Sequence, residues 1–177
     1  MFSLAAGTTL SIFSLWFSIR YDVGIGVVSI VFTFAQIAET LAYLVAPILA
    51  DRIGNVRGTV FIRAIAAMLM LSIAFAPTAL IAAILYACRN AFQRISHPLR
   101  ESYMMAVLDS EIRASGAAII NIPRLITQVI GPSIGGYLLG LSTLLPPLTG
   151  GIIFTIGDAL YWIFFKKIKP PEEVKTT

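Results

Sequence analysis

Apolar residues come in long runs along this chain, separated by short polar clusters or by prolines. Six runs can be cut, at about residues 2–18, 25–49, 60–75, 78–107, 112–139 and 148–165, each near the ~20 residues a helix needs to cross a hydrocarbon core. The first ends at Arg20, Tyr21 and Asp22, and the second at the polar cluster from Asp51 to Gly58. Pro77 and the pair Pro146 and Pro147 punctuate the later runs, whereas the fourth is expected to continue past Pro98. The pattern predicts an all-α integral membrane protein. It is a bundle of six transmembrane helices over residues 1–166, with a polar, flexible tail at 167–177.

Loop charges support the count. With the loops assigned alternately, one side holds Arg52, Arg57, Arg63, Arg94, Arg100, Arg113, Lys166, Lys167, Lys169 and Lys175, and the other little more than Arg20. Lys and Arg accumulate on the cytoplasmic side of membrane proteins, so both termini are expected in the cytoplasm of a multi-pass protein of the cell membrane.

Composition agrees. The chain is 58% hydrophobic and 12% charged, against about 25% charged in ordinary soluble domains. So few charges cannot cover the surface of so short a soluble domain, and lipid supplies the missing solvent. The net charge of +4 does not indicate nucleic acid, because the positive residues are spread and tied to helix ends. The single cysteine, Cys88, cannot form an internal disulfide and has no metal-binding or catalytic partners nearby, and no cofactor is expected. The first run starts at Met1 without a basic lead-in, so it reads as a span rather than a cleavable signal.

The block from Arg89 to Gly136 is the exception to the apolar pattern, with five arginines, the sole histidine and three acids. A charge at the bilayer centre costs roughly 2.5–3.5 kcal/mol on insertion scales, so these residues must face a bundle interior or a water-filled cavity. Asn90, Arg94, His97 and Glu101 share one helical face, with Arg89, Gln93 and Arg100 in the adjacent stripe. Arg89, about midway along its run, is the strongest candidate for solute contact, whereas Arg94 to Glu101 read as a solvated helix end. Asn121, Arg124 and Gln128 share a face of the fifth run and complete the candidate cavity set of Arg89, Asn90, Asn121, Arg124 and Gln128. In the second run Gln36, Glu39, Thr40 and Tyr43 share a face. Glu39 and Arg124 are the most deeply placed opposite charges on separate helices, which suits either proton coupling or a permanent ion pair. Asp158 receives no role. Gly131, Pro132, Gly135 and Gly136 form a packing and kink element, since small residues let helices approach closely and proline weakens the ladder.

The polar cluster after the second run has the spacing of a tight cytoplasmic turn, with Asp51, Arg52, Gly54 and Arg57 at its fixed positions. It resembles the G-x-x-x-D-R-x-G-R-x-R-R loop signature of the major facilitator superfamily, with Pro47 in place of the opening glycine and Asn55 and Gly58 in place of two basic positions. Gly-Pro-x-x-Gly-Gly at 131–136 resembles that superfamily's fifth-helix signature, with Thr127 at the upstream glycine. The stretches 98–105 and 109–114 resemble the fourth-to-fifth-helix connection of its second half. The chain is therefore similar to a C-terminal six-helix half of a major facilitator transporter. The resemblance implies transmembrane transport of a small solute, a gating role for Asp51, Arg52, Gly54 and Arg57, and a partner that supplies the other wall of the pathway. That partner is a second six-helix half or a second copy of this chain, and the excess of arginines tilts the solute toward an anionic or amphipathic one. Two other readings are a helix-bundle scaffold or receptor without flux, and a six-helix intramembrane hydrolase using Ser133 and His97.

Overall fold

A computed structural model describes residues 7–53, 55–107 and 113–165; within these, the side chains at 46–53, 55–58, 98–107, 113–121, 123, 124 and 165 lie outside the description. Among the described residues there are six α-helices and no strand: α1 (Phe13–Tyr21), α2 (Ile25–Ile53), α3 (Asn55–Ala74), α4 (Ala79–Val107), α5 (Arg113–Leu141) and α6 (Leu145–Phe165). A 3-10 turn, Leu10–Ile12, leads into α1. The gating-loop candidates Asp51, Arg52, Gly54 and Arg57 and the tail at 167–177 fall outside the described side chains.

Helix ends depart from the apolar runs where local chemistry allows it. The sixth run was expected to begin after the proline pair, yet α6 starts at Leu145 and takes Pro146 and Pro147 into its first turn. Backbone N–H groups in a first turn have no intrahelical acceptor, so proline loses nothing there. α3 begins at Asn55, five residues ahead of its apolar run, and α4 passes through Pro98 without a break. α1 closes on Asp22, whose φ of 50° places it in the left-handed region typical of a helix C-cap.

α4 is the axis of the bundle. It packs along both α2 and α3, α3 in turn packs along α6, and α5 meets α6 and the 3-10 turn ahead of α1. The core holds an aromatic cluster from three helices: Phe13, Trp16 and Phe17 of α1, Phe32 of α2 and Tyr86 of α4. Phe13 stacks on Tyr86 at 4.1 Å between centroids, and Phe32 meets Tyr86 at 5.2 Å. Each such pair is worth about 0.5–1.5 kcal/mol beyond the area it buries.

One end of the bundle is laced together by polar bonds from α1. Trp16 Nε1 donates to the Thr143 carbonyl, Arg20 to Thr143 Oγ1 at 3.1 Å, and Tyr21 Oη to the Ala76 carbonyl at 3.0 Å. Thr9 Oγ1 donates to the Pro146 carbonyl at 3.0 Å from a buried position. The turns α1–α2, α3–α4 and α5–α6 therefore share this end, the Thr143 end.

The exterior is mostly apolar. Ile30, Phe34, Leu41 and Leu44 of α2 and Val129 and Tyr137 of α5 are all more than half exposed. Residues 25–45 and 145–164 are each long and apolar enough to cross a membrane, and 59–74 and 125–141 are shorter apolar stretches.

Gly131 and Gly135 lie where α5 crosses the segment before α1. A Cβ on Gly131 would fall on the backbone of Gly7, and one on Gly135 on the Thr8 carbonyl, whereas Gly136 has nothing within 4 Å. Pro132 sits half-buried between them inside an unbroken helix. The four residues grouped by sequence thus divide by face. Gly135→Ala should lower the unfolding midpoint in detergent, at a cost of about 1–3 kcal/mol for overpacking. Gly136→Ala should hold or raise it, by up to ~1 kcal/mol of helix propensity.

Candidate functional site

A stripe of polar side chains runs down the outside of α2. Ser29, Thr33, Gln36, Thr40 and Tyr43 recur at intervals of four, three, four and three, which keeps them on one helical face, and all five are exposed. Three of the hydroxyls are satisfied within the helix: Ser29 donates to the Ile25 carbonyl, Thr33 to Ser29 and Thr40 to Gln36, each at 2.9 Å. Such back-bonding lets hydroxyls sit on a weakly polar surface without an orphaned donor. The stripe spans 15 residues, or about 21 Å of helix.

Beside it, α2 meets α4 through an ion pair. Glu39 Oε1 pairs with Arg94 Nη2, the acid side chain 15% exposed and the arginine 38%. Glu39 thus has an arginine partner on α4; the expected partner, Arg124 of α5, has its side chain outside the described residues. Arg94, expected at a solvated helix end, is instead half of an interhelical contact.

Arg89 lies in the bundle interior. Its residue is only 2% exposed, its guanidinium lies 5.0 Å from the Phe154 ring centroid on α6, and Nη1 donates to Asn90 Oδ1 at 2.8 Å. Among the described residues Nε and Nη2 have no hydrogen-bond partner. The reason is helical geometry: at about 100° per residue, Arg89 and Arg94 are roughly 140° apart. When Arg94 faces α2, Arg89 must face the bundle interior. The candidate solute-contact residue is buried in this structure, and Asn90, half-buried beside it, is engaged as its acceptor. Gln128 is exposed on α5, and Asn121, like Arg124, lies outside the described side chains.

A second ion pair was missed in the sequence. Arg63 Nε donates to Asp158 Oδ1 at 2.9 Å, with both side chains almost fully buried between α3 and α6. Arg63 had been counted as a loop charge, yet it sits eight residues into α3, about 12 Å from that helix's start. The available signal was its place inside the third apolar run, opposite the single acid of the sixth. A groove of about 540 Å³ opens beside Asp158, with an apolar lining that includes Val60, Phe61, Met68 and Trp162. None of its lining residues comes from α2, α4 or α5, so it is separate from the polar stripe.

Ser133 and His97 do not form a hydrolytic pair. Ser133 is eight residues from the Thr143 end of α5, and His97 is 18 residues from that end of α4. At 1.5 Å per residue they differ in depth by roughly 15 Å.

Removing one member of a buried ion pair strands the other. Asp158→Ala should destabilise the protein by about 3–5 kcal/mol, whereas Arg63→Met combined with Asp158→Leu should recover most of that loss. Thermal unfolding of the two variants in detergent checks this, and equal losses would contradict it.

Comparison with curated proteins and with solved structures returned no match. The family model for the Major Facilitator Superfamily matches residues 1–177. The members of that family are multi-pass membrane transporters rather than enzymes. An all-α bundle with a mostly apolar exterior and paired internal charges fits that family, and the chain belongs to the major facilitator superfamily.

Proposed function

We propose that this chain supplies one wall of the solute pathway of a major facilitator transporter, acting as its C-terminal six-helix half. The observation that carries the reading is the exposed polar stripe on α2, five residues in helical register beside the Glu39–Arg94 pair, on an exterior whose exposed side chains are mostly apolar. Hydroxyl and amide groups facing lipid gain nothing, whereas facing an aqueous pathway they can bind a polar solute. In this reading all six helices span the membrane, with the Thr143 end extracytoplasmic and both termini in the cytoplasm; the distribution of loop charges supports that orientation. The opposite wall comes from a second six-helix unit, either another half or a second copy, and solute passes between the two bundles as they rock.

In this reading Glu39 and Arg94 form an ion pair at the pathway's edge, with Asn90 one turn from Arg94 on α4. The presence of an arginine partner favours an electrostatic latch between α2 and α4 over a proton-carrying acid. The bonds among α1, Ala76, Thr143 and Pro146 hold the extracytoplasmic end of the half rigid, so that it moves as one body.

Cysteine accessibility tests the pathway. In a Cys88→Ser background, Thr33→Cys and Thr40→Cys should react with a membrane-impermeant maleimide, and Ile30→Cys and Phe34→Cys should react at least tenfold more slowly. Equal rates at the four positions would contradict a water-filled face on α2.

A further inference from the structure

Hydrogen-bond direction along the α2 stripe is uneven. Ser29, Thr33 and Thr40 each donate their hydroxyl proton to a backbone carbonyl one turn earlier in the helix. A hydroxyl has one donor and two acceptor lone pairs, so these three groups present acceptors outward. Gln36 and Tyr43, exposed between and beyond them, can both donate and accept. The stripe therefore offers acceptors at every position and free donors only at Gln36 and Tyr43. Turning one of the three hydroxyls outward to donate breaks its bond to the helix, a penalty of roughly two- to tenfold in affinity.

Charge on this face leads to the same preference. The chain's excess of arginines pointed to an anionic or amphipathic solute, yet the described arginines are engaged elsewhere. Arg94 pairs with Glu39 at the edge of the stripe, and Arg63 with Asp158 between α3 and α6. Arg89 is buried against Phe154, and Arg20 donates to Thr143. No stripe residue is charged. A carboxylate solute brings acceptors only, and would set its lone pairs against those of Ser29, Thr33 and Thr40. An ammonium solute would bring donors, but the acid beside the stripe, Glu39, already holds Arg94, so the added charge would go uncompensated.

We infer that Ser29, Thr33 and Thr40 are specificity-determining residues of this wall, which selects a neutral solute carrying several hydroxyl or amide N–H donors over an anion of similar size. This rests on the proposed pathway along α2. Ser29 and Thr33 are about 6 Å apart along the helix axis, and Thr33 and Thr40 about 10.5 Å, with Gln36 between them. A solute with donors spread along one edge meets two or more of these acceptors at once. An analogue without donors leaves them unpaired, and such sites reject it for that reason.

Three probes of equal chain length separate the possibilities: erythritol, a neutral polyol; succinate, a dianion with acceptors only; and putrescine, a dication with N–H donors. The parent is Ser29→Cys in a Cys88→Ser background, which leaves Thr33, Gln36, Thr40 and Tyr43 in place. It is studied in vesicles of the source cell's membrane, where the opposite wall is present. The readout is the slowing of its reaction with a membrane-impermeant maleimide. Erythritol is expected to slow the reaction saturably, putrescine only at higher concentration, and succinate not at all. Adding Thr33→Val and Thr40→Val together should raise the half-protecting concentration of erythritol by roughly tenfold. Protection by succinate or putrescine at or below the erythritol concentration overturns the inference. So does a reactive parent that erythritol fails to protect, or protection that the two valines leave unchanged. A parent that does not react at all sinks the pathway reading and this inference with it.

Discussion

Charges inside a low-dielectric bundle must be paired or turned inward, and that constraint arranges this molecule. The Arg63–Asp158 pair joins α3 to α6 deep in the bundle. Arg89 is drawn toward the same interior and lies against Phe154, while Arg94, on the other side of α4, reaches across to Glu39 of α2. A single helix thus carries one arginine into the core and one to the open face. α4 can do this because five residues separate the two, which turns them to nearly opposite sides. Buried pairs add little net stability over apolar packing, but losing one partner is costly, so the pairs fix how the helices are matched.

The aromatic cluster and the bonds to Thr143 do the complementary work at the Thr143 end. Phe13 packs on Phe32 of α2 and Tyr86 of α4 with Trp16 and Phe17 beside it, and Trp16, Arg20 and Tyr21 tie α1 to two neighbouring turns. The segment leading into α1 joins this arrangement through backbone contact of Gly7 and Thr8 with Gly131 and Gly135. Small residues permit that approach where packing, rather than water exclusion, drives helix association.

Much of this was legible in the sequence. The six helices follow the apolar runs because each is a long hydrophobic segment with a clear breaker, and the loop and glycine signatures pointed to the family that the whole-chain match gives. Side-chain direction was harder to read. Arg89 and Arg94 were both polar residues on one run, and only the packing of α4 between α2 and α3 decides which of them looks inward. Glu39 pairs with Arg94 of α4, a partner not foreseen because sequence depth does not tell which helices are neighbours. Arg63 was taken for a loop charge because α3 starts ahead of its apolar run. Ser29 and Thr33 escaped notice because single hydroxyls blend into an apolar stretch. Their regular spacing with Gln36, Thr40 and Tyr43 was the signal, and exposure on the folded helix is what gives it meaning.

The central claim is that the polar face of α2 lines water while its neighbouring faces meet lipid or protein. A spin-label scan through residues 29–43 in bilayers tests it most directly, reading collisions with a water-soluble nickel chelate against collisions with oxygen. The account predicts nickel maxima at Ser29, Thr33, Gln36, Thr40 and Tyr43, and oxygen maxima at Ile30, Phe34 and Leu41. A flat profile, or nickel maxima on the apolar positions, would contradict it.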